Sequence, residues 1–160
     1  WWFYPSASGT ECDSYVAFDY AENIWTTGPI DRTAGVDRGV FGQPFWIAAD
    51  GVLYEQEIGF DYGGQSPFAE TGPIALGVGE NVMAVRGMIP DENTLGDVNA
   101  TFKTRFYPTD TERDYGPYNM ANPTSLRFTG RQIRMRVTGN TDSDWRVGIM
   151  RLDAVAGGRR

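Results

Sequence analysis

Any catalysis by this sequence has to run on carboxylates, tyrosine, lysine or arginine, because it contains no histidine and a single cysteine, Cys12. A Ser-His-Asp triad, a Cys-His nucleophile and a zinc site of histidine or cysteine ligands are excluded. Asp31, Asp37, Glu55, Glu57, Asp91 and Glu92 are the carboxylates from which a glycosidase pair would be drawn. Such a pair flanks a cleft at about 5–10 Å. With 21 acidic residues in 160, the simpler reading is solvated surface groups and local ion pairs. Asp31-Arg32 and Asp37-Arg38 read as pairs that anchor the loop carrying them. Asn140-x-Asp142-x-Asp144 has the spacing that opens a calcium loop, but Trp145 stands where the turn glycine belongs and Arg151 replaces the closing acid. An Asx-rich hairpin turn is expected there. The sequence therefore assigns no catalytic residue, no metal site and no cofactor.

The second group with chemical potential is a set of arginines, Arg127, Arg131, Arg134, Arg136, Arg146 and Arg151. Arg134 and Arg136 are two apart and share the outward face of an expected strand. The formal charge of −7 is unevenly placed: residues 1–120 hold 6 basic and 18 acidic groups, residues 121–160 hold 8 and 3. An acidic body argues against a general nucleic-acid binder, since phosphate neutralisation needs clustered Lys and Arg. No aromatics interleave with the arginines as a single-strand platform requires. Docking onto acidic partners, subunit to subunit, is the favoured role. The plain alternative is a charged sheet face that discourages aggregation. Trp25, Trp46 and Tyr54 are expected to pack between hairpins rather than stack on sugars. Asn99-Ala100-Thr101 matches a glycosylation sequon by chance.

The elements that would position these residues are strands. Aromatics at 14% and 20 glycines favour strands joined by tight turns. Two similar units lie early in the chain. Tyr15–Tyr20, a turn at Ala21-Glu22-Asn23, and Ile24–Gly28 form one; Pro44–Ala49, Asp50-Gly51, and Val52–Gly59 form the other. Asp50-Gly51 is a strong hairpin signal. Pro29–Gly42 reads as loop, and Gly59–Pro73, with Gly63-Gly64, Pro67 and Gly72, as a boundary. Beyond it, strands are expected at Asn81–Ile89, at Val98–Tyr107 (Val98, Ala100, Phe102, Thr104 and Phe106 on one face), at Ser125–Thr129, at Gln132–Thr138 and at Trp145–Val155. The last slips phase between Ile149 and Met150, as a bulge would require. The expected class is all-β: the last blades of a β-propeller-like domain over residues 1–62, then a small antiparallel β-sandwich or curled sheet over residues 63–160. The aromatic quartet at Trp1-Trp2-Phe3-Tyr4 leads us to expect a longer chain before it. No apolar run approaches the ~20 residues of a membrane span.

Trp2-Phe3-Tyr4-Pro5-Ser6, Asn23-Ile24-Trp25, Asp37-Arg38-Gly39, Asp50-Gly51-x-Leu53-Tyr54-Glu55, Gly130-Arg131-Gln132 and Asp144-Trp145-Arg146 follow one another in an order that resembles the C-terminal part of tailed-phage virion proteins. The hub or nozzle class of short-tailed phages is the nearest in kind. The resemblance implies a β-propeller with attached β-domains in a ring of copies, a hexamer, around the DNA conduit. It also implies portal or adaptor and tail proteins as neighbours, phage DNA that passes without specific binding, assembly in the host cytoplasm and no enzymatic role. The alternative of another class is a carbohydrate-binding or glycoside-hydrolysing propeller fragment of a tail fibre.

Overall fold

The computed structural model describes residues 1–77, 81–139 and 142–159, and among them every regular element is a β-strand. The strands form several small antiparallel sheets, none closed on itself. The chain divides into two compact units, Trp1–Gly59 and Phe60–Arg160, three residues ahead of the division expected at residue 62.

The first unit holds β1 (Trp2–Tyr4), β2 (Ser14–Asp19), β3 (Ile24–Pro29), β4 (Ala34–Val36), β5 (Phe45–Ile47) and β6 (Leu53–Glu55). They make two three-stranded sheets, β1-β2-β3 and β4-β5-β6. Local side chains shape the turns. Asp19 Oδ1 accepts the N–H groups of Ala21 and Glu22 at 2.9 and 3.1 Å, and Asn23 takes the left-handed conformation that closes the β2–β3 hairpin. At Asp50-Gly51 the carboxylate accepts the Val52 N–H at 2.9 Å while Gly51 sits at φ +83. Asp13 closes the long β1–β2 connection by accepting both the hydroxyl and the N–H of Ser6 at 2.6 Å, and these bonds hold its carboxyl below the usual range.

Pro29–Gly42, expected as loop, contributes β4, because its short Ala34-Gly35-Val36 run pairs with Ile47-Trp46-Phe45. Trp46 packs edge-on against Trp1 and Phe3 at 5.3 and 5.1 Å between centroids, so one indole joins the two small sheets. Gly35 makes this possible, since a Cβ there would enter the Trp46 ring.

The second unit holds β7 (Phe68–Glu70), β8 (Ile74–Ala75), β9 (Asn81–Pro90), β10 (Asn99–Arg105), β11 (Arg113–Asn119), β12 (Thr124–Gly130), β13 (Gln132–Thr138) and β14 (Met150–Arg159). One sheet runs β11-β10-β13-β7 with β8 also on β13; the other runs β12-β9-β14. Both face one core of Val85, Met88, Val98, Ala100, Phe102, Met120, Leu126, Phe128, Ile133 and Val137. The period-two face expected for β10 is this buried face, with Val98, Ala100 and Phe102 at 0% exposure.

Three expectations are corrected here. The presumed boundary segment supplies β7, which pairs Phe68-Ala69-Glu70 with Thr138-Val137-Arg136. β11 was not foreseen. The last strand starts at Met150 rather than Trp145, and its register shifts fall after Asp153 and after Ala156 rather than at Ile149.

Asp91 explains the late start of β14. Its Oδ2 accepts the Ile149 N–H at 2.8 Å, and its Oδ1 accepts the Asn93 N–H at 3.1 Å. Thr94 Oγ accepts the Gly148 N–H at 3.1 Å, and Leu95 and Arg146 exchange backbone bonds. A Cβ on Gly148 would collide with the Asp91 carboxylate. The Ile149 amide, against an opposing desolvation, holds the Asp91 carboxyl below its ordinary value. A carboxylate lowered in the folded state stabilises the fold above its unfolded value of about 3.9 and loses that contribution as pH falls through the folded value. Asp91→Ala is therefore expected to lower Tm by several degrees at neutral pH, with the gap to the parent chain narrowing below about pH 4. Thermal melts across that range check it; a gap independent of pH refutes the charge-assisted clamp.

Candidate functional site

The six arginines expected to dock partners are not one patch. Arg134 and Arg136 project from β13 onto the outer face of the larger sheet and meet acids of their own unit. Arg134 Nη1 lies 3.1 Å from Glu70 Oε1, and its Nε lies 3.7 Å from Glu112 Oε1, an ion pair too long for a hydrogen bond. Arg136 Nη1 lies 3.7 Å from Glu70 Oε2, and its guanidinium rests over the Phe68 ring at 3.7 Å. The outward face is as expected, but its charge is already answered across the β13–β7 pairing. Arg131 stacks over Tyr107 at 5.0 Å. Arg146 and Arg151 are exposed, before and within β14, and Arg127 is exposed on β12.

The loop pairs make their bonds through the backbone. Arg32 Nη1 donates to the backbone carbonyl of Asp31 at 2.7 Å, and its guanidinium lies over Tyr54 at 4.0 Å. Asp37 Oδ1 accepts the Arg38 N–H at 2.7 Å. Neither couple is a carboxylate–guanidinium pair among the described residues. Short connections favour these backbone bonds, which adjacent residues reach more easily than each other's side-chain tips. Asp31, Asp37, Glu55 and Glu57 are exposed in the first unit; Asp91 and Glu92 belong to the second, with Asp91 engaged in its clamp. Of the calcium-like spacing, Asn140 lies outside the described residues. Trp25 is exposed and stacks with Phe18 at 4.5 Å and Trp2 at 5.8 Å, whereas Trp46 carries the packing between sheets.

The clefts of the second unit include the following two. One, of about 350 Å³, is lined by Thr104, Arg105, Phe106, Asp110, Thr111 and Arg113. Arg105 is committed there to Gln132 Oε1 at 2.8 Å and the Pro108 carbonyl at 2.9 Å, while the buried Thr104 hydroxyl has no hydrogen bond among the described residues. The other, of about 620 Å³, is bordered by Tyr115, by Arg86 and Arg127, and by the hydroxyl residues Ser125 and Thr129, with the buried Val85 and Phe128 beneath it.

A bulge builds this second groove. Ser125 pairs with Gly87 and Phe128 with Val85, so Leu126 and Arg127 of β12 stand opposite Arg86 alone. On the other side Asp153 and Ala154 of β14 meet Gly87 and Val85, which leaves Arg86 unmatched there too. Bulges re-aim side chains, and here both arginines line one groove. Neither makes an ion pair or side-chain hydrogen bond among the described residues. Sequence reasoning included Arg127 but missed Arg86. The signal was Arg86-Gly87 interrupting an apolar strand, a pattern that marks a bulge.

Neither cleft brings two carboxylates together. The two clefts present cationic and aromatic side chains. The class thus defined is an all-β protein of two units built from small antiparallel sheets. No protein-family model matches this chain, and no curated protein matches its sequence.

Proposed function

We propose that this chain is a non-catalytic structural subunit that assembles with copies of itself and with neighbouring proteins, in the manner of the tail hub or nozzle proteins of short-tailed phages. In this reading the hairpins of the first unit serve as blade-like pieces of a β-propeller, and the second unit is a small β-sandwich attached to it. The observation that carries the reading is the packing of the first unit. Its only buried hydrophobic residues are Ala17 and Ala48, yet Trp1, Trp2, Ile24, Trp25, Phe41, Leu53 and other large apolar side chains are 40% exposed or more. Sheets need a covered face to be stable, and contiguous exposed apolar surface marks interaction sites. Further protein laid over these aromatics supplies that cover.

The glycan-directed alternative gains less support, since the Trp25 ring is engaged by Trp2 and Phe18 rather than presented flat to a sugar. Labelling the chain and imaging purified particles tests the proposal. The expected result is a ring of copies at the tail, and sedimentation of the isolated chain as higher-order species. A chain that stays monomeric at high concentration and is missing from particles refutes it. A hydrolysis assay that turns over a glycan would favour the alternative.

A further inference from the structure

We infer that the Arg86–Arg127 groove of the second unit is the socket for the acidic first unit of another copy, a head-to-tail contact. This rests on the assembly reading and specifies where copies meet. Charge complementarity selects the occupant. The first unit holds 9 acidic and 2 basic residues and so carries all of the −7, whereas the second holds 12 of each. All ion pairs of the described residues lie in the second unit, so no carboxylate of the first is neutralised by one. One of the two basic groups in the first unit, Arg32, is spent on a tyrosine face and a backbone carbonyl.

The socket has the matching chemistry. Arg134 and Arg136 are answered by Glu70 and Glu112, but Arg86 and Arg127 are answered by nothing among the described residues. Guanidinium groups bind carboxylates in forked pairs, and Arg86 and Arg127 border the same groove beside Tyr115. Ser125 and Thr129 add hydroxyl donors at the rim. A contact between different surfaces of identical chains is heterologous, the kind that propagates into rings or filaments.

Sedimentation velocity of the 160-residue chain at low and high salt tests the inference, with R86E/R127E compared against R146E/R151E, which makes the same change in charge outside the groove. The expected result is salt-sensitive association of the parent chain, weakened at least tenfold in R86E/R127E and changed less than twofold in R146E/R151E. Circular dichroism establishes that each variant is folded, and R86Q/R127Q takes the place of the reversal if that one is not. Equal loss in both reversals would assign the effect to net charge and overturn the socket. Association that survives in R86E/R127E overturns the socket but leaves subunit assembly standing. A monomeric parent chain removes both, and saturable binding of inorganic phosphate by that monomer would give the groove to a small oxyanion instead.

Discussion

Phe102→Ala is expected to destabilise the second unit by about 3–5 kcal/mol, the range for truncating a fully buried aromatic. Phe102 is at 0% exposure in the middle of β10, which is hydrogen-bonded on both sides, to β11 and β13. Its ring centroid lies 5.2 Å from that of Phe128 on β12 and 6.2 Å from that of Tyr118 on β11. One side chain therefore ties the larger sheet to the smaller one. Sheets held by ladders on both edges cannot close over the missing ring without breaking register, so the cavity persists and its cost adds to the lost transfer energy. Phe102→Leu keeps most of the volume and should cost clearly less. Urea unfolding followed by circular dichroism measures both; a loss below about 1 kcal/mol for the alanine variant would mean that Phe102 is not enclosed by the two sheets.

The strands legible in the sequence are those whose side chains alternate between core and solvent, such as β10 and β13, and those beside a clear turn signal, such as β3 and β6. β13 begins and ends at Gln132 and Thr138 as expected, because Ile133 and Val137 are buried and Arg134 and Arg136 are not. β4 and β7 are only three residues long, too short to show a period, and exist through partners elsewhere in the chain. β11 is interrupted by Gly116-Pro117, which reads as a turn. The same limit governs the candidate site. Alternation put Arg134 and Arg136 on the outer face, but Glu70 is 64 residues from Arg134, and no local pattern announces such a partner. Arg86 was hidden for the opposite reason. Strict alternation assigns each strand residue to one face, and the bulge at Arg86 breaks that rule. Among the described residues Arg134 and Arg136 are thus paired with acids, whereas Arg86 and Arg127 are not.

Trp46→Ala is expected to unfold the first unit while the second keeps its structure. Trp46 lies on the central strand of the β4-β5-β6 sheet, opposite Gly35 and Tyr54, and its indole meets Trp1 and Phe3 of the other sheet. Losing a large aromatic contact of this kind costs about 2–4 kcal/mol, less than for a fully enclosed ring because Trp46 is only half-buried. That is enough to matter here, because units of about 60 residues are marginal and three-stranded sheets need packing on a face to persist. No buried large side chain in the first unit can compensate, since its buried hydrophobic residues are two alanines. The second unit has its own core cluster, which contains no residue of the first. Limited proteolysis reads the outcome: rapid cleavage within residues 1–59 with survival of a fragment beginning near Phe60. Trp46→Phe, which retains an edge-on ring, should slow that cleavage again. Unchanged protection of the first unit in Trp46→Ala would show that the two small sheets are held together by something other than this indole. Cleavage that spreads at once through both units would show that their stabilities are not separate. Protection restored by adding an assembled partner would instead tie the weakness of the first unit to its exposed aromatic surface, since cover from outside offsets packing lost within.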